Sequence, residues 1–442
     1  MEINGIIDEY KRTIRGLIRK VNSFEPFDLV IGIPFFKETQ TLYGVIKTAE
    51  EGIRRYFPEK RVLILGAGVK GTSEEGAKVF NSAPVEMPSI KKICALLTVR
   101  GKGWGMRAAL DIANIFYTDL IFLDADLRTT TDKNGHKIGL LPETIKWIYE
   151  PIIKEGFDYV CPYYIRHKWD GTITNFICFP LVTALYGKRI RQPIGGEIGL
   201  SKKFVRVLLN QPDSWFTDIG TYGIDIWITV EAIVNRMSIA QTFLTSKIHD
   251  PSEGKLEVMF KQVANSLFER IIEHRGFIMS LNGQEFRRKM RVKTFNGYPH
   301  KIEPEEVPFH WKDRIDYFRK EFDRRKSKYE KLLEKGNFDY LQELYNKKYD
   351  IEFDKSKWAE IVYDFILKYS LSHIKKIEFE KDEILDLMIP VYLLRAASFV
   401  IHTQNITTLE AEKRIEEQVN EFVRLRRKFI KEFSLIFGLI KV

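Results

Sequence analysis

Two carboxylates, Asp124 and Asp126, stand one residue apart at the end of the apolar stretch in IFLDADLRT. Placed at i and i+2 just past a buried strand, they repel each other unless something positive sits between them. A divalent cation with oxygen ligands meets that need. Alternatively one carboxylate holds a ribose hydroxyl while the other holds the metal. A third reading is an ordinary strand-end turn with solvated acids. D-x-D alone does not choose among these.

The surrounding text adds further groups of the same chemistry. GKGWGM, 101–106, sets two glycines around Lys102 at a helix start, an arrangement that offers backbone N–H groups and an ammonium to a phosphate. It lacks the G-x-x-x-x-G-K-[ST] spacing of a P-loop. RQPIGGEIGLS, 191–201, carries Gly195 and Gly196, which let the backbone approach a ligand closely, followed by the carboxylate Glu197. Asp225 begins the helical text of TYGIDIWITVEAI. His249 ends a strand-like run in SKIHDPSEG and is a candidate third metal ligand, although a lone histidine is more often structural.

These residues must be positioned by an alternating α/β framework. Residues 28–36, 61–65, 91–99 and 118–126 read as buried strands, and 38–56 and 103–116 as helices, with a short amphipathic helix over 7–22 before them. That order predicts a parallel sheet of the Rossmann-like α/β class, with ligands at the carboxyl ends of the strands. FDYVCPYYI and QTFLTSKI read as further strands. NFICFPLVTALYG and IDIWITVEAIVNR read as helices. After residue 256 the periodicity is helical throughout. The expected organisation is an α/β catalytic domain over 1–255 and a mainly α-helical domain over 256–442.

The net charge of +10 is spread along amphipathic helices such as 319–331 and 424–431, which fits solvated faces better than a nucleic-acid surface, and no nucleic-acid module is recognisable. Cys94, Cys161 and Cys178 are too few and too scattered for a disulfide framework, which points to a reducing, cytoplasmic setting. The N-terminus has no signal-like apolar core. The segment 384–402 is apolar enough to suggest a membrane span, but Asp386 and Arg395 interrupt it and favour a buried helix. The apolar helices of the C-terminal half offer a surface for a homodimer.

The ordered set PFFKE, GKGWGM, a strand ending in DAD, QPIGGE, YGID and a late KIH resembles the GT-A glycosyltransferases over residues 28–255. More narrowly, it is similar to the retaining enzymes of the mannosylglycerate, glucosylglycerate and glucosyl-3-phosphoglycerate synthase group. The resemblance implies a hexosyltransferase using Mg²⁺ or Mn²⁺ and a nucleoside-diphosphate hexose, GDP-linked by preference, with D-glycerate as acceptor. It implies that Glu38 meets the ribose and that Lys102 lies near nucleobase and phosphates. Asp126, His249 and Asp124 would hold the metal, Asp126 most directly. Asp225 would hold hydroxyls of the transferred sugar, and Gly195, Gly196 and Glu197 would line the sugar and acceptor. Asp225, Glu197 and Lys102 are the residues expected at the reacting centre.

YYIRHKWDGTITNF matches the acceptor region of that group, with Arg166, Asp170, Ile173 and Thr174 in the mannosylglycerate spacing. An arginine forks onto a carboxylate and a threonine hydroxyl adds a bond. Thr172 replaces the arginine of the phosphoglycerate enzymes, which favours free glycerate, while His167, Lys168 and Arg189 could still neutralise a phosphate. Two departures are small residues in LGAGVKG where a tyrosine occurs in the group, and Ser252 at a position often aromatic.

Other readings compete. Gly66, Gly68 and Gly71 form G-x-G-x-x-G with Glu86 beyond, a dinucleotide-binding pattern. A polyprenyl-phosphate glycosyltransferase at a membrane surface and a non-catalytic nucleotide-sugar-binding protein are the remaining alternatives.

Overall fold

A computed structural model describes residues 3–211, 215, 217–250, 253–281, 286, 290–297 and 302–438; Ser252 lies outside them. The chain divides into two compact units. The first comprises residues 1–165, 192–251 and 292–305; the second comprises 166–191, 252–291 and 306–442. Residues 166–191, which the sequence reading put with the sheet, thus group with the helices.

The first unit is built on an eight-stranded sheet. Its strands are β1 (Leu29–Pro34), β2 (Val62–Val69), β3 (Ile90–Leu97), β4 (Asp119–Phe122), β7 (Tyr159–Ile165), β8 (Gly199–Leu200), β9 (Ile239–Ser246) and β10 (Lys293–Phe295), in the order β10-β9-β7-β8-β4-β1-β2-β3. A separate two-stranded hairpin is formed by β5 (Thr129–Thr131) and β6 (Lys137–Gly139). All pairings in the large sheet are parallel except those of β8, which runs antiparallel to both β4 and β7. This is the expected mixed α/β architecture followed by helices.

Central strands in such a sheet are covered on both faces and therefore read as continuous apolar text. In β1, Leu29, Val30, Ile31 and Ile33 are fully buried; each contributes about 1.5–3 kcal/mol of burial. Helix α2 (Leu42–Tyr56) packs Leu42, Val45, Ile46, Ala49 and Ile53 into the same core, with Ile145 and Ile148 of α5 (Pro142–Glu155).

The glycines of the dinucleotide-like pattern have a packing role. Gly66 and Gly68 lie inside β2, where a Cβ would fall 2.6 Å from Phe80 and 2.7 Å from Phe35 and Ser73. A strand continues through these two glycines, so they do not form the phosphate-binding turn of a dinucleotide fold.

The second unit is helical. Its long members span Leu256–Glu273, Trp311–Arg324, Lys355–His373, Lys381–Thr403 and Thr408–Ile436. Lys381–Thr403 is the one helix, among the described residues, long and apolar enough to cross a membrane. Its most apolar window is 89% buried, with Arg395 itself only 7% exposed. The segment 166–191 joins this unit through a π-turn at Thr174–Cys178 and a helix at Phe179–Tyr186. Trp358 donates its indole N–H to the Phe176 carbonyl, and Gln418 donates to that of Asn175.

Candidate active site

The parallel strands bring their carboxyl ends to one edge of the first unit. Asp124 and Asp126 follow β4, Glu38 follows β1, and Lys102 opens the helix after β3, α4 (Lys102–Phe116). Lys247 and His249 follow β9. Because β8 runs the other way, the residues before it, Gly195–Glu197, arrive at the same edge.

A ladder of alternating charge runs through this edge. Lys102 Nζ lies 2.9 Å from Asp225 Oδ2 and 3.0 Å from Asp124 Oδ1. Lys247 Nζ lies 2.8 Å from Asp124 Oδ2 and 3.1 Å from both oxygens of Glu197. The order is Asp225, Lys102, Asp124, Lys247, Glu197, and all five are largely or wholly removed from solvent, with Glu197 at 0% exposure. Buried charges persist only when paired, and here each ammonium serves two acids.

The electrostatics follow from this order. Burial works against the charge of Asp124, but the two ammonium groups outweigh it and hold its carboxyl well below the usual range. Burial likewise opposes the charge of Lys102, and Asp124 and Asp225 override it, so its pKa is raised. Glu197 is pushed up to about 7, chiefly by burial, with Lys247 pulling it down and Asp124 pushing it up. Burial also raises Asp225, against the pull of Lys102. Among the described residues, Asp225 Oδ1 is buried and accepts no hydrogen bond, an orphaned acceptor.

The neighbouring glycines make this ladder sterically feasible. Extending the antiparallel register of β4 with β8 sets Gly196 across from Asp124. A Cβ on Gly196 would fall 2.1 Å from both Asp124 carboxylate oxygens, and one on Gly195 would fall 2.2 Å from Pro162. The glycine pair therefore accommodates the protein's own carboxylate and proline. At the start of α4, Gly101 has φ +140°, open only to glycine, and a Cβ on Gly103 would meet the Ile219 carbonyl oxygen at 1.8 Å. Gly103 N–H donates to the Thr221 carbonyl. The expected phosphate cradle is thus engaged within the chain: its ammonium faces Asp124 and Asp225, and the Gly103 N–H is used.

Asp126 and His249 form a second, looser pair, with His249 Nδ1 3.9 Å from Asp126 Oδ2. Burial first and Asp124 second raise the Asp126 pKa, and Glu38 adds to that, against Lys247 and His249. Excess negative charge beside an imidazole is a donor set suited to a hard or borderline divalent cation. Among the described residues no group of three His, Cys, Asp or Glu side chains is gathered to hold a metal. Asp124, expected among the metal ligands, has both oxygens on lysines.

Glu38 turns back on its own loop, where one carboxylate oxygen accepts the N–H groups of Phe36 and Lys37. It lines a cavity of about 600 Å³ with Lys37, Thr41, Arg128, Thr129 and Asp250. Arg128 is paired with Asp250 and donates to the His249 carbonyl, so the cavity wall continues into the chain beside Asp126 and His249.

Of the expected acceptor residues, Arg166, Asp170, Ile173 and Thr174 belong to the second unit and Gly196 to the first. Arg166 Nη1 lies 3.0 Å from Asp170 Oδ2, and Arg166 Nε is buried with no hydrogen-bond partner among the described residues. Ile173 and Thr174 are buried at the start of the π-turn. Lys168 donates to the carbonyls of Gln404 and Ile406, Arg189 pairs with Glu416, and His167 Nδ1 accepts the Val307 N–H. The three groups considered for a phosphate therefore already have partners within their own unit.

Lys247 is the site residue that the sequence reading passed over. Its signal was present in SKIHD: it stands two before His249, as Asp124 stands two before Asp126.

No family model matches the sequence, and no curated protein matches it. Among solved structures, the chain is similar to glucosyl-3-phosphoglycerate synthase from Mycobacterium tuberculosis. In its complex with Mn²⁺, UDP and phosphoglyceric acid the identity is 19% and the TM-score 0.40, covering 58% of this chain and 82% of that one. In a complex with Mn²⁺, UDP-glucose and phosphoglyceric acid the values are 18% and 0.41, covering 67% and 92%.

Proposed function

We propose that the chain is a metal-dependent hexosyltransferase that moves glucose or mannose from a nucleoside-diphosphate sugar to D-glycerate with retention of configuration. The observation that carries this reading is the strand-end ladder, with an orphaned acceptor on Asp225 and the Asp126–His249 pair beside it. The ordered motifs and the D-x-D at the carboxyl ends of parallel strands support it.

In this reading Asp126 and His249 hold Mg²⁺ or Mn²⁺. When bound, the ion supplies Lewis-acid stabilisation to the leaving diphosphate. Asp225 Oδ1 accepts a hydroxyl of the transferred sugar, which gives that buried oxygen the hydrogen bond it lacks. Lys102 holds Asp225 and Asp124 in place and adds positive charge near the leaving group. Glu197, whose pKa burial raises to about 7, titrates near neutral pH and so limits the negative charge of the ladder. The cavity beside Glu38 and Arg128 offers room for the nucleoside. Arg166 takes the acceptor carboxylate and Thr174 orients it, which is catalysis by positioning.

The engagement of Lys168, Arg189 and His167 favours free glycerate over 3-phosphoglycerate. Purified protein is incubated with GDP-mannose, GDP-glucose or UDP-glucose, each against D-glycerate and 3-phosphoglycerate, with Mg²⁺ or EDTA, and products are read by mass. A hexosyl-glycerate formed with Mg²⁺ and not with EDTA is expected. Product from 3-phosphoglycerate alone would reverse the acceptor assignment, and no transfer to either would remove it.

A further inference from the structure

The two functional stretches at this edge repeat one geometry. Asp124 and Asp126 are separated by one residue after β4, and Lys247 and His249 by one residue after β9. Across the edge they pair in register. Asp124 meets Lys247 at 2.8 Å, and Asp126 meets His249 at 3.9 Å. The first rung is closed by an ammonium in direct contact. The second is wider than a hydrogen bond and holds one oxygen donor and one nitrogen donor.

We infer that Lys247 is a metal-positioning residue: with Lys102 it serves as the built-in cation of Asp124 and confines the divalent ion to the Asp126–His249 rung. This rests on the metal-dependent reading above. Asp124 has one ammonium on each oxygen, at 3.0 and 2.8 Å, so a metal would have to displace a buried lysine to reach it. Lys247 has little freedom to leave. Its side chain is 6% exposed, lies 5.7 Å from the Tyr164 ring centre, and also holds both oxygens of Glu197. Removing that ammonium would leave Asp124, Asp126 and Glu197 as an oxygen-rich cluster able to take a second hard cation.

The test is Mn²⁺ titration of the full chain in the presence of UDP or of GDP, with free Mn²⁺ read by electron paramagnetic resonance and folding by circular dichroism. Wild type is expected to bind one Mn²⁺, H249A to lose it, and D124N to bind it with unchanged affinity. K247M is expected to bind a second Mn²⁺, while K247R behaves as wild type. A loss of more than about tenfold in Mn²⁺ affinity in D124N would overturn the proposal. So would a single, unchanged site in K247M. Absence of Mn²⁺ binding to wild type would instead sink the metal-dependent reading and the proposal with it.

Discussion

The Cβ that Gly196 lacks would lie 2.1 Å from both carboxylate oxygens of Asp124, closer than any non-bonded contact allows. Either the β8 edge or the ladder must then move. Gly196→Ala is expected to cost about 1–3 kcal/mol of stability, as overpacking does, and to remove most transfer activity by displacing Asp124 from its lysines. Thermal melts and initial rates check this. Wild-type rates in the variant would show that Asp124 need not stay where it is.

Glu197 couples the same edge to pH. Its carboxyl, ordinarily near 4.5, is raised to about 7 in the folded protein by burial. Between these values the folded chain keeps a proton that the unfolded chain has released. Its contribution to stability is therefore complete below about pH 4.5 and is lost as pH rises through 7. Denaturant unfolding at pH 5 and pH 7 is expected to show a larger fall for wild type than for Glu197→Gln. Parallel losses in both proteins would mean that Glu197 is ionised throughout.

Asp126→Ala and His249→Ala each remove half of the pair assigned to the metal. Both are expected to abolish turnover that EDTA also abolishes, and to leave the melting temperature within a few degrees of wild type, since neither side chain anchors the core. A variant that still turns over in a metal-dependent manner would move the ion elsewhere.

Arg166→Ala tests the acceptor. Loss of a charged hydrogen-bond donor to a carboxylate is worth about 1.5–3 kcal/mol, so the glycerate KM is expected to rise at least about tenfold with the donor KM nearly unchanged. Equal increases in both constants would refute the acceptor role.

Much of this edge was legible as text because charged residues that end buried strands have few structural reasons to be there. Asp124 stands out by that contrast, Glu197 by its glycine pair and Asp225 by its place at a helix start, and lysines link the three. What stayed hidden depended on partners far away in sequence. β8 has two residues and β10 three, too short for any alternation to register, so nothing indicated that 195–197 would run antiparallel to β4 and face Asp124. From sequence the glycine pair therefore reads as space for a ligand rather than for a carboxylate. Lys102 reads as a phosphate-binding group from sequence because its acidic partner, Asp225, lies 123 residues on. Residues 166–191 carry strand-and-helix text like their neighbours. Their allegiance to the helices is set by contacts such as Trp358 with Phe176, 182 residues apart.

The chain passes between its two units at 165/166, 191/192, 251/252, 291/292 and 305/306. Modularity is therefore restricted. Cutting after residue 255 would strip Phe176, Phe179 and Leu181 of the helices that enclose them, and a fragment so made would be adhesive and short-lived. Grafting a foreign helical tail onto the sheet would meet the same obstacle. Acceptor preference in this chain is expected to change by substitution within 166–191, together with its helical partners, rather than by exchange of whole segments.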